Sequence, residues 1–192
     1  MRAFSFRPAL ALRGRKFKGP RGLAGKPFHP PLTDIPVAAY LLAAVFDVIS
    51  VIGGDESWGR DFYRAATFTF VGGAVVSLPT ALTGYWDWLR SSEKGTQVRR
   101  TINAHAWIMV TVTVLVLINI ALRLSAYGED PHTPALVLVL SLLAAGLVSW
   151  GAVYGGALVY EYGFNVETAG DHPAYHVSED DVFHGAHDAD GR

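Results

Sequence analysis

Four stretches of this chain are apolar around their whole circumference. They run from about Ile35 to Ile52, from about Phe62 to Trp86, from about Ile102 to Ala126 and from about Pro134 to Tyr160. Each comes close to or exceeds the roughly 20 residues a helix needs to cross a bilayer. A helix of a soluble bundle would carry a polar stripe. VTVLVLINIAL and ALVLVLSLLAAGLVSWGAVYGGALVY carry almost none, which rules against a soluble fold. The connectors GGDESWGRD, LRSSEKGTQVRR and YGEDPHT are short, and short connectors favour an up-down-up-down arrangement. The expected fold is all-α: an integral membrane antiparallel four-helix bundle over residues 27–167. The basic arm 1–26 and the acidic, His-rich tail 168–192 are expected to be disordered.

Composition agrees with this class. The sequence is 51% hydrophobic and only 17% charged, against about a quarter charged in soluble domains. A near-neutral total hides an asymmetry along the chain. Arg2, Arg7, Arg13, Arg15, Lys16, Lys18, Arg21 and Lys26 precede the first span, and Arg90, Lys94, Arg99 and Arg100 flank the middle connector. The other two connectors are acidic on balance. By the positive-inside rule both termini and the middle connector face the cytoplasm. FSFRPALAL is followed by basic residues rather than a small-residue cleavage site, so it does not read as a secretory signal. There is no cysteine, which excludes disulfides, thiolate metal sites, cysteine-held iron–sulfur clusters and covalent haem attachment. Ser77 and Ser149 have no adjacent base, and neither a phosphate loop nor HExxH is present, which rules against a hydrolase. The arm alone supports no specific nucleic-acid partner.

The polar residues fall into two groups by depth. His29, Asp34, Asp87, His105 and Glu161 share the side that carries the termini. Ionisable groups at membrane depth are costly and often functional. If His29 and His105 converge, two such imidazoles could make the axial pair of a b-type haem, with Asp87 orienting one ring and Arg99 and Arg100 meeting the propionates. A divalent metal held by His29, His105 and Asp87 uses the same residues. The plain alternative for each is structural: Thr33 or Asp34 caps the first helix with Pro36 in its first turn, and each ring bonds a carbonyl. HPP is expected to be non-helical, a lid over the bundle mouth. Toward the other side, Asp47 pairs with Arg123, with Asn119 one turn away. That pair is expected to fix helix packing, since isolated charges there would be costly.

Small residues at Gly73, Ser77, Thr80 and Gly84, and at Gly151, Ala152, Gly155 and Gly156, let helices approach closely. Pro79 is expected to kink the second span. The two halves show no repeat by inspection. The tail motifs HPAYH and HGAH bind a metal weakly at most, behind disorder as the first expectation.

HPPLTDIPVAAYLLAAVFDVIS, GYWDWL, NAHAWIMV with Asn119 and Arg123 downstream, and GGALVYEYGFNV resemble the bacterial membrane domain of unknown function, family 2231. The matching positions are His29, Pro30, Pro36, Asp47, Gly84, Asp87, His105, Arg123, Gly155 and Gly156, within about residues 27–167. The resemblance implies a four-helix membrane domain and, because members are sometimes joined to redox domains, an electron-transfer setting. It implies no reaction. The functional expectation is therefore a haem- or metal-binding, redox-associated membrane subunit working with the lipid bilayer and a membrane redox partner or a second copy. The alternatives are an oligomeric transporter or proton-coupled permease built on Asp47, Asn119 and Arg123, and a structural partner without chemistry.

Overall fold

A computed structural model describes residues 27–125 and 130–166. The expectations for the arm and for the tail lie outside these residues. Four helices follow one another: α1 His29–Gly53, α2 Ser57–Ser91, α3 Gln97–Ser125 and α4 Ala135–Tyr160. All four are long and apolar enough to cross a membrane, which makes this a multi-pass membrane protein. Each helix packs on its two neighbours in the cycle α1–α2–α3–α4. Residues 92–96 and the outer ends of α1 and α4 share one end of the bundle, here the termini end. The other two connectors form the connector end.

The bundle is sorted in the sense a bilayer demands. Large apolar side chains such as Phe68, Leu78, Leu82, Val114, Leu136 and Val153 point outward, into lipid. Inside, small residues dominate: Ala43, Ala66 and Ala144 are fully buried around Phe70 and Val116. Small interior residues bring helix backbones together, and dispersion and interhelical hydrogen bonds then hold them. α2 has 35 residues, about 52 Å at 1.5 Å per residue. That exceeds a hydrocarbon core of about 30 Å, so its ends project into the interfaces. Trp86, Trp88 and Arg90 lie in the last turns, with Arg90 over the Trp86 ring.

The start of α1 differs from expectation. His29 is already helical, with Phe28 in the cap position and no side-chain cap bond. The HPP segment is the first turn of the helix, not a non-helical lid. Pro30 and Pro31 are compatible with it because first-turn N–H groups have no intrahelical acceptor. Thr33 and Asp34 do not cap the helix; Thr33 Oγ1 donates to Pro30 O at 2.6 Å. Pro36 is inside the helix and buried. Its missing N–H leaves Leu32 O without the usual donor. The hydroxyl of Thr80 on α2 approaches that carbonyl at 3.3 Å, so the proline helps join α1 to α2.

Candidate functional site

Two polar centres lie on the bundle axis, and both bridge the diagonal between α1 and α3. His29 and Asp47 are 18 positions apart on α1, and His105 and Arg123 are 18 apart on α3. Eighteen residues make five turns, so each pair shares one helix face and is separated by about 27 Å. That is close to the thickness of the hydrocarbon core. Imidazoles therefore meet at the termini end and an ion pair meets at the connector end.

The ion pair is completely enclosed. Asp47, Asn119, Arg123, Ser50 and Ser141 are all at 0% exposure. Arg123 donates through Nη2 to Asp47 Oδ2 and to Ser141 Oγ at 3.1 Å. Its Nε donates to Asn119 Oδ1 at 2.5 Å, and Nη1 lies 3.3 Å from Thr67 Oγ1. Asp47 also accepts from Ser141 Oγ at 2.5 Å and from Thr133 Oγ1 at 2.9 Å. Asn119 Nδ2 donates to Val137 O at 3.0 Å and to Ser141 Oγ at 2.9 Å. Phe70 and Tyr63 close the guanidinium from α2, at 4.9 and 5.4 Å from ring centroid to carbon. All four helices thus contribute, together with Thr133 from the segment before α4. Every oxygen of the carboxylate is engaged, so the pair acts as a neutral staple across the bundle.

The histidine end is built differently. The His29 and His105 ring centroids are 6.5 Å apart, with the rings nearly perpendicular at 86°. His29 Nδ1 lies 3.0 Å from Thr80 O on α2. His105 Nδ1 lies 2.9 Å from Gly151 O on α4. A carbonyl only accepts, so each Nδ1 carries the proton and the Nε2 of each neutral ring keeps its lone pair. Neither Nε2 has a hydrogen bond among the described residues.

The two histidines sit in equivalent surroundings. Four residues beyond each carbonyl acceptor stands a glycine, Gly84 after Thr80 and Gly155 after Gly151. A Cβ on Gly84 would lie 2.6 Å from His29 Cε1, and one on Gly155 would lie 3.4 Å from His105 Cε1. Each hairpin, α1–α2 and α3–α4, therefore presents a histidine on its first helix and, on its second, a carbonyl plus a glycine one turn later. The sequence reading found no repeat. The repeated unit includes a backbone carbonyl and an absent side chain, neither of which sequence similarity registers.

Other expected partners are elsewhere. Asp87 is 5% exposed on α2, and its Oδ1 has no hydrogen-bond partner. It does not orient either ring, because both Nδ1 atoms bond backbone carbonyls. Among the described residues no group of three His, Cys, Asp or Glu side chains is arranged to hold a metal ion, so the His29, His105 and Asp87 metal triad does not form. Arg99 Nη1 bonds Trp88 O at 2.8 Å and Ser92 Oγ, and its guanidinium lies 3.6 Å from the centre of the Trp88 ring. It closes the C-terminal end of α2 and is not directed toward the histidines. Thr67, Ser141, Thr133 and Ser50 were missed as network members. Ser141 interrupts an otherwise aliphatic run in α4, and that interruption was the available signal.

No curated protein and no solved structure matches the chain. Residues 25–168, three quarters of the chain, match a family model described as "Predicted membrane protein (DUF2231)". The match covers all four helices and both polar centres, and the chain belongs to this family of membrane proteins of unknown function.

Proposed function

We propose that the protein is a bacterial plasma-membrane subunit that binds one b-type haem between His29 and His105 and passes single electrons through it. The observation that carries this reading is the imidazole pair: 6.5 Å between centroids, with both Nδ1 atoms engaged and both Nε2 atoms unengaged. Two imidazole–metal bonds of about 2.0–2.1 Å, each with about 1.1 Å from nitrogen to ring centre, would allow the two centroids to stand up to roughly 6 Å apart. The same bond lengths at a tetrahedral angle give roughly 5 Å. The observed spacing would suit an iron held between His29 and His105 better than a tetrahedral divalent metal, which would also need further ligands. Hydrogen bonds from Nδ1 to carbonyls fix ring orientation and raise ligand basicity, the usual support for a ligating histidine. Bound there, the haem would supply one-electron exchange. The protein's share is to hold the two rings, to exclude water from the bundle and to set the local dielectric.

Both termini are assigned to the cytoplasm from the basic residues Arg90, Lys94, Arg99 and Arg100 at the termini end. A membrane redox partner or a second copy would then meet that face. The transporter alternative gains no support from Asp47, whose oxygens are all bound inside a sealed network. The test is an absorption spectrum of detergent-purified protein, oxidised and dithionite-reduced. A Soret band with sharp reduced α and β bands supports the reading. Folded protein grown with ample haem but lacking these bands refutes it.

A further inference from the structure

We propose that Asp87 is a proton-exchanging carboxyl coupled to the electron count at the histidine pair, a reading that rests on the haem proposal. Asp87 is the buried acid that the Asp47 staple does not use. It is 5% exposed, and its Oδ1 has no partner among the described residues. Ser91, one turn further on the same face of α2, also has a buried hydroxyl without a partner. Two buried polar atoms without partners among the described residues, one turn apart, are unusual, because buried polar groups are almost always satisfied. Both lie on α2 between the histidine level and the termini end.

Its position relates it to the histidines. Gly84, against which the His29 ring packs, is three residues before Asp87 on α2. Asp87 therefore lies about one turn from the ring, toward the bundle mouth. The charged and titratable groups at this end of the elements packed on α2 are His29 and Asp34 on α1, and Arg99, Arg100 and His105 on α3. Arg99 is engaged by Trp88 O and Ser92. Asp87 has no salt bridge to any of them among the described residues. An unpaired carboxylate in such a place is costly, and a neutral carboxylic acid is far less so. Were one electron held at the histidine pair, the added negative charge would draw one proton onto Asp87 from the termini-side water. An oxidising partner would take that electron, and Asp87 would release the proton. The donor is a one-electron reductant, which dithionite replaces in the assay, and Ser91 hydroxyl and water carry the proton between carboxyl and mouth.

The experiment has two arms on the full-length, detergent-purified protein. A hydrophobic carbodiimide, which reacts with the protonated form of shielded carboxyls, is read by peptide mass spectrometry. Haem potential is then titrated across pH in the wild type, Asp87→Asn and Asp87→Glu. Expected are modification at Asp87 and, in the pH range where it titrates, a tenfold shift in the oxidised-to-reduced ratio per pH unit, or 59 mV for one electron. Asp87→Asn should flatten this slope while keeping the wild-type spectrum, and Asp87→Glu should restore it. An unmodified Asp87, or a slope that Asp87→Asn leaves unchanged, overturns the proposal. A folded chain that takes up no haem refutes the haem reading and the coupling with it. Haem with an Asp87-independent slope refutes the coupling alone.

Discussion

Replacing Asp47 by Asn tests the staple most sharply. The substitution keeps shape and removes one charge. It leaves the Arg123 guanidinium at 0% exposure, with Asn119, Thr67 and Ser141 around it but no counter-charge. Breaking a buried pair from one side costs about 3–5 kcal/mol. The lower half of that range is expected here, because three neutral acceptors remain and helices unfolded within a detergent micelle also find partners. Removing both charges is a different perturbation. The double variant Asp47→Leu with Arg123→Met eliminates the stranded ion, and buried pairs replaced by apolar groups are often neutral or stabilised by about 1–4 kcal/mol. Ser141, Thr133 and Asn119 would lose partners in the double variant, so a net loss of about 1–2 kcal/mol is expected. Unfolding of the wild type, Asp47→Leu, Arg123→Met and the double variant in a denaturing-detergent titration gives the coupling energy by double-mutant cycle. Single variants that cost less than about 1 kcal/mol, or costs that simply add, would refute the sealed-pair account.

Two further predictions concern the histidine end. Gly84→Ala places a methyl 2.6 Å from the His29 ring, whereas Gly155→Ala meets the His105 ring at an ordinary 3.4 Å. Haem spectra and thermal stability should therefore change for the first and stay close to wild type for the second, although the two glycines occupy equivalent positions. If a haem is held between His29 and His105, ring planes at 86° would give the ferric protein a strongly anisotropic low-spin electron paramagnetic resonance signal. A rhombic signal of modest anisotropy would mean parallel rings.

The helices were legible because a bilayer permits little else: long apolar runs without polar stripes become spans. Their ends were less legible. Two consecutive prolines after His29 read as non-helical because X-Pro disfavours the helical region, yet in the first turn the missing N–H groups cost nothing. α1 consequently starts six residues before Ile35. Depth alone brought Asp47 and Arg123 together on paper, since a charge in hydrocarbon requires a partner. Depth also grouped Asp87 with the histidines, but there it was insufficient. The orienting groups are Thr80 O and Gly151 O, and every residue has a carbonyl, so nothing in the residue types marks these two. The spacing of 18 on both α1 and α3 was present in the sequence. It becomes meaningful only once the two helices are known to be diagonal neighbours.

The central claim is that one haem sits between His29 and His105. Its most direct test is a haemin titration of folded, detergent-purified protein at the Soret band, with wild type, His29→Ala and His105→Ala in parallel. The account predicts saturation at one haem per chain, with a six-coordinate low-spin spectrum in the wild type. Each single variant should lose that spectrum, by becoming five-coordinate or by failing to bind. No saturable binding by the wild type, or the same low-spin spectrum in both variants, would contradict it.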